Sequence, residues 1–257
     1  MTIDERPVAS FWAQAAREYW GQSRRPLASL AFVLPLLVLY EGGVVVLGPH
    51  AVRNGADVWL RKLLDGLGFG NYFLLPALTV GLLLAWHHIS HQRWRISPAV
   101  LYTMFAECAV LALALLIAGR VQSVVAQELM SPRAAEGVPA AISELSDKTA
   151  VMGMVLGFAG AGVYEEVLFR LILLPPAWLC LSRLGAARAV RIVGVVVATS
   201  LAFAAAHYLG PYGEHFDPFS FSFRFTAGAV FAMLFVYRGF GIAAGTHALY
   251  DIFVSLG

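Results

Sequence analysis

Residues 150–174 read AVMGMVLGFAGAGVYEEVLFRLILL. A helix needs about 20 apolar residues to cross the hydrocarbon layer of a bilayer, and this stretch is long enough. Glu165, Glu166 and Arg170 nevertheless sit inside it. An ionisable group in lipid costs free energy and is retained where it has a partner or a task. The segment is therefore expected to be a membrane helix that turns a polar site toward other helices.

Working outward, six further apolar stretches are expected to be helical spans: 27–48, 71–89, 98–119, 191–209, 225–238 and 240–257. The segment quoted first can continue past Pro175 and Pro176 to about residue 183, and a half-helix near Val58 to Leu67 would be an eighth element. The fold class that follows is all-α, a polytopic transmembrane helical bundle of about seven or eight membrane helices. Composition agrees: the 257 residues are 59% hydrophobic and 13% charged, against about 25% charged in soluble domains. A water-facing surface cannot be built from so few charges, so membrane lipid is an expected partner. The net charge of +2 argues for no nucleic-acid partner. Cys108 and Cys180 lie in separate apolar stretches and read as small buried hydrophobes.

The chain divides into an N-terminal cytoplasmic or interfacial segment (1–26), N-terminal membrane helices with a polar loop (27–149) and a C-terminal membrane core (150–257). The first segment is mixed and charged, without the apolar centre of a cleavable signal peptide. Phe11, Trp12, Ala15, Ala16, Tyr19 and Trp20 recur at helical spacing, which fits a helix lying on the membrane as well as a plain tail. Residues 120–149 read as a polar surface loop. Arginines flanking the first, second and fourth spans favour a cytoplasmic N-terminus in a multi-pass cell-membrane protein, of the bacterial inner membrane.

Three apolar stretches of the C-terminal region carry the polar groups. Glu166 and Arg170 are four apart and share a helical face, so they can pair, while Glu165 points about 100° away. Phe203 and His207 lie in LAFAAAHYLG, and His247 and Asp251, again four apart, in GTHALYDIF. Two histidines and two or three carboxylates from separate helices can activate a water and stabilise an oxyanion. They can also hold zinc, with Glu165, His207 and His247 as ligands. Gly153, Gly157, Gly160 and Gly162 precede the carboxylates and would let the helix carrying His207 or His247 approach closely.

The ordered pattern Glu-Glu-x-x-x-Arg, Phe-x-x-x-His, His-x-x-x-Asp resembles the CAAX protease and bacteriocin-processing family (Abi, type II CAAX endopeptidases). The resemblance covers about 150–257 and implies an intramembrane peptidase acting on a membrane-associated peptide or protein; between the metal-free and zinc-dependent mechanisms, the metal-free one is favoured. Carried over, Glu165 is the base that activates water, Glu166 and Arg170 hold the site, and His207 helps bind the water. His247 with Asp251 forms the oxyanion side. In this family a glycine often follows the arginine, where this chain has Leu171, and the last position is usually Asn. An aspartate donates no hydrogen bond unless protonated, so orienting His247 is the role left to Asp251. A proton-coupled transporter using the same groups and a non-catalytic immunity or scaffold protein are the other readings. Glu41 and Glu107 are expected to line the cavity or bond neighbouring helices, and His87, His88 and His91 to anchor a membrane edge or, less simply, to hold a metal. Tyr208, Tyr212, His215 and Phe219 read as an aromatic belt or a gate.

Overall fold

Among the described residues, proline opens the three longest α-helices: α2 (Pro26–Leu47), α5 (Pro98–Leu129) and α9 (Pro218–Arg238). The first helical position has no intrahelical use for an N–H, and the fixed proline φ already suits the helix. The computed structural model describes residues 8–48, 51, 53–129, 148–210 and 213–256. Among them the other α-helices are α1 (Val8–Ser23), α3 (Gly55–Gly66), α4 (Leu74–Ile89), α6 (Lys148–Gly160), α7 (Leu174–Arg183), α8 (Arg188–Ala206) and α10 (Phe240–Leu256), and no strand is present. Two π-helical turns, Ala161–Glu165 and Val167–Leu173, join α6 to α7.

Among the described residues, four helices are long and apolar enough to cross a membrane: α2, α8, α9 and α5 over Pro98–Ala126. α4 and α10 are shorter and equally apolar. Large side chains such as Val46, Tyr102, Val110, Ile117 and Val193 point outward, an arrangement suited to lipid. Buried apolar clusters are correspondingly internal. Tyr40, Val163, Tyr164, Phe240 and Ala244 belong to the largest, and Phe169, Phe203 and Phe231 to another.

α10 is the central element. Every residue from Phe240 to Ala248 is buried, and the helix packs against α2, α5, α9 and the first π turn. A single residue, Gly239 at φ +90°, links it to α9.

Several expectations need correction. Of the polar loop expected over 120–149, residues 120–129 instead complete α5, which is apolar at Val121, Val124 and Val125, and 148–149 begin α6; residues 130–147 lie outside the described residues. The sixth span starts at Pro218 rather than 225, so Phe219 is helical; Tyr212 lies outside the described residues. Cys108 is buried as expected, whereas Cys180 is exposed on α7. The half-helix expected at 58–67 is α3, and the N-terminal segment is helical from Val8.

Candidate active site

The two adjacent glutamates take different partners from a backbone wound unusually for a helix. Hydrogen bonds in the two π turns step five residues rather than four, with Glu166 between them. Such turns are wider than α-helix and concentrate at functional sites, and the regular 100° step does not hold across Ala161–Leu173.

Glu166 is fully buried. Its Oε1 lies 2.9 Å from His247 Nδ1 and its Oε2 3.1 Å from Arg170 Nε. The latter is a charge contact rather than an aligned hydrogen bond. Arg170, also fully buried, donates from Nη2 to the Gly228 carbonyl at 3.0 Å, and its guanidinium carbon stands 4.9 Å from the Phe203 ring centre and 5.7 Å from that of Phe231. Aromatic faces and one carboxylate thus replace water around the cation.

Glu165 is set differently. Its Oε1 accepts a 2.8 Å hydrogen bond from Asn54 Nδ2. Its Oε2 is buried with no hydrogen-bond partner among the described residues and lies 3.9 Å from His247 Nε2.

His247 stands among three carboxylates. Because Glu166 accepts at Nδ1, that nitrogen carries a proton. Nε2 lies between Glu165 and Asp251, 3.7 Å from Asp251 Oδ2, and the ring stacks on Phe231 with centres 4.4 Å apart. The orienting contact expected from Asp251 is therefore made by Glu166, since 3.7 Å exceeds hydrogen-bond reach. Space for this approach comes from Gly162: a Cβ there would meet Ala248 Cβ at 2.6 Å and the Ala244 carbonyl at 2.9 Å. Gly160 does the same against Tyr40, whereas Gly153 and Gly157 have nothing within 4 Å. Of the expected glycine contacts, only two form, and the one that serves the site is with α10.

His207 ends α8, with Nδ1 2.8 Å from the Phe203 carbonyl. A carbonyl only accepts, so the proton sits on Nδ1 and Nε2 keeps its lone pair. The Phe203 ring packs 5.0 Å from His207 and 5.8 Å from His247, and His207 lies within electrostatic range of Glu165 and His247. Among the described residues, no three His, Cys, Asp or Glu side chains converge as a metal-ligand set, either here or at His87, His88 and His91. His87 is instead buried edge-on against Trp94, with ring centres 4.6 Å apart.

Asn54 and Phe231 were not among the residues singled out from the sequence. Asn54 immediately precedes α3 and caps it, its Oδ1 accepting from Ala56 N at 2.9 Å. An Asn at a helix start is a readable signal; its reach to Glu165, 111 positions away, is not. A buried polar lattice fixes α3 in place. Tyr40 donates to Asp57 at 2.8 Å, and Arg61 binds both Asp57 at 2.5 Å and Glu41 at 2.8 Å. Tyr164, next to Glu165, also donates to Glu41. Glu41 thus bonds neighbouring elements. Glu107 does so too, pairing with Arg238 of α9 and Tyr19 of α1.

Residues 147–253 match a family model described as type II CAAX prenyl endopeptidase, Rce1-like. That segment is similar to the Rce1-like domain. The matched residues include Glu165, Glu166, Arg170, His207, His247 and Asp251, so every polar group from the three C-terminal motifs falls within the stretch that is similar to CAAX-type endopeptidases. Asn54 and the α3 lattice lie outside the matched residues. With four helices able to span a bilayer, this is a membrane protein. Comparison with curated proteins and with solved structures gives no match.

Proposed function

We propose that this protein is an intramembrane endopeptidase that hydrolyses a peptide bond of a membrane-associated protein or peptide, with Glu165 as general base and no metal. The observation that carries the proposal is Glu165 Oε2, buried without a hydrogen-bond partner among the described residues and held 3.9 Å from His247 Nε2 of another helix. One water can hydrogen-bond to both across that distance.

Glu165 takes a proton from this water as its oxygen attacks the substrate carbonyl carbon. His247, protonated on both nitrogens among its three carboxylates, donates from Nε2–H to the oxyanion, and His207 helps position the water. Collapse of the tetrahedral intermediate breaks the C–N bond, and Glu165 returns the proton to the leaving amine. Glu166 and Arg170 do not touch substrate; they hold His247 at its angle. Asp251 adds negative charge beside the imidazole. The Rce1-like match supports a substrate with a lipidated C-terminus.

The reading includes seven membrane crossings: the four long helices, α4, α10 and the continuous helical path 148–183 through both π turns. It also places the N-terminus in the cytoplasm of a bacterial cell, with Arg17, Arg24 and Arg25 before the first span.

The test is cleavage of a farnesylated CAAX peptide, beside its unprenylated twin, by protein in liposomes. Glu165→Gln keeps the shape and removes the base, so kcat is expected to fall by about 10²–10⁴-fold. Cleavage by Glu165→Gln at the wild-type rate ends the proposal, and loss of wild-type activity to a chelator replaces the metal-free mechanism with a zinc-dependent one.

A further inference from the structure

Away from Glu165, a cavity of about 510 Å³ opens between α1 and the segment joining α4 to α5. Its volume falls in the range of about 300–1,000 Å³ typical of small-molecule sites. Arg17, Arg25, Arg93 and Arg95 line it, opposed by one carboxylate, Glu18. Arg25 Nε is buried with no hydrogen-bond partner among the described residues.

The position of the cavity identifies its ligand. Arg25 directly precedes Pro26, the first residue of α2, and the lining residue Ser97 directly precedes Pro98, the first of α5. Two membrane helices therefore begin at the cavity, at the depth where hydrocarbon gives way to headgroups. Each brings unpaired N–H groups and the positive end of its dipole. α2 has no side-chain cap there. Trp94, between two of the arginines, is exposed, as aromatic side chains at a membrane interface commonly are.

We propose that this cavity binds the phosphodiester of an anionic phospholipid, holding the membrane against α1 and the α4–α5 connection. Guanidinium groups suit phosphate oxygens through paired hydrogen bonds, and a basic site at headgroup depth is reached by lipid from within its own leaflet.

Native mass spectrometry of the full chain in mixed phosphatidylglycerol and phosphatidylcholine micelles tests this. Wild type is expected to retain phosphatidylglycerol over phosphatidylcholine by about tenfold. Both Arg93 and Arg95 are exposed, so Arg93→Gln/Arg95→Gln leaves the packing intact and is expected to bring the preference close to parity. Arg183→Gln/Arg188→Gln, which removes equal charge elsewhere, is expected to keep it. Equal retention of the two lipids by wild type overturns the proposal, as does a preference that survives loss of Arg93 and Arg95. So does an equal loss in the control variant, which would reduce the effect to bulk charge. Displacement of phosphatidylglycerol by millimolar inorganic phosphate overturns the lipid as the source of the phosphate.

Discussion

Asn54 performs two tasks with one amide. Its oxygen caps α3 and its nitrogen holds Glu165 Oε1. Asn54→Asp separates them, because aspartate caps as well as asparagine but donates nothing to Glu165 and sets a like charge beside it. The expected outcome is an unchanged melting temperature with kcat lowered by about 10–100-fold. Unchanged turnover would show that Glu165 is positioned by the π turn alone. Arg170 is the opposite case, since its partner Glu166 is as deeply buried as it is. Removing one member of a buried pair strands the other, so Arg170→Met should cost about 3–5 kcal/mol in thermal unfolding. Glu166→Gln/Arg170→Met should recover part of that loss. No recovery would mean that the guanidinium contributes through Gly228 and the aromatic rings.

At the scale of elements, Gly162 sets the distance between the π turn and α10. Gly162→Ala drives a Cβ into Ala248 and the α10 backbone, and overpacking of this kind costs about 1–3 kcal/mol. Gly157→Ala meets nothing within 4 Å and should be neutral, or stabilising by up to about 1 kcal/mol through helix propensity. Thermal melts of the two variants check this, and equal behaviour would mean that the close approach is not what holds α10. Apolar length located nearly every helix in advance, since that signal depends only on local composition. The Glu166–Arg170 pair was readable because i,i+4 neighbours meet in any helix. The π winding, the exchange of Asp251 for Glu166 at His247 and the reach of Asn54 were not readable. Each depends on which helices become neighbours, and neither composition nor periodicity contains that.

For the molecule as a whole, charge is used as stitching between helices distant in sequence. Arg238 of α9 donates to both oxygens of Glu107 on α5 at 2.6 Å and to Ser23 Oγ of α1 at 3.0 Å, and lies 3.8 Å over the Trp20 ring. Arg238→Ala leaves Glu107 without its cation and should cost about 1–3 kcal/mol. Limited proteolysis should then cut between α1 and α2 sooner than in wild type; an unaltered cleavage rate would show that α1 is held by its apolar face. Such a clamp was foreshadowed only as the possibility that Glu107 bonds a neighbouring helix, because Arg238 resembles any basic residue ending a membrane span.

The burial of α10 has a consequence for biosynthesis. The elements it packs against, α2, α5, α6, the first π turn and α9, precede it in the chain, so the ribosome delivers the heart of the structure after its walls. Until Phe240–Ala248 is threaded between them, those walls enclose an unfilled shaft, and Glu166 lacks its partner His247. The nascent protein is thus expected to remain inert, and vulnerable to quality-control degradation, until Phe240–Ala248 has been translated and inserted.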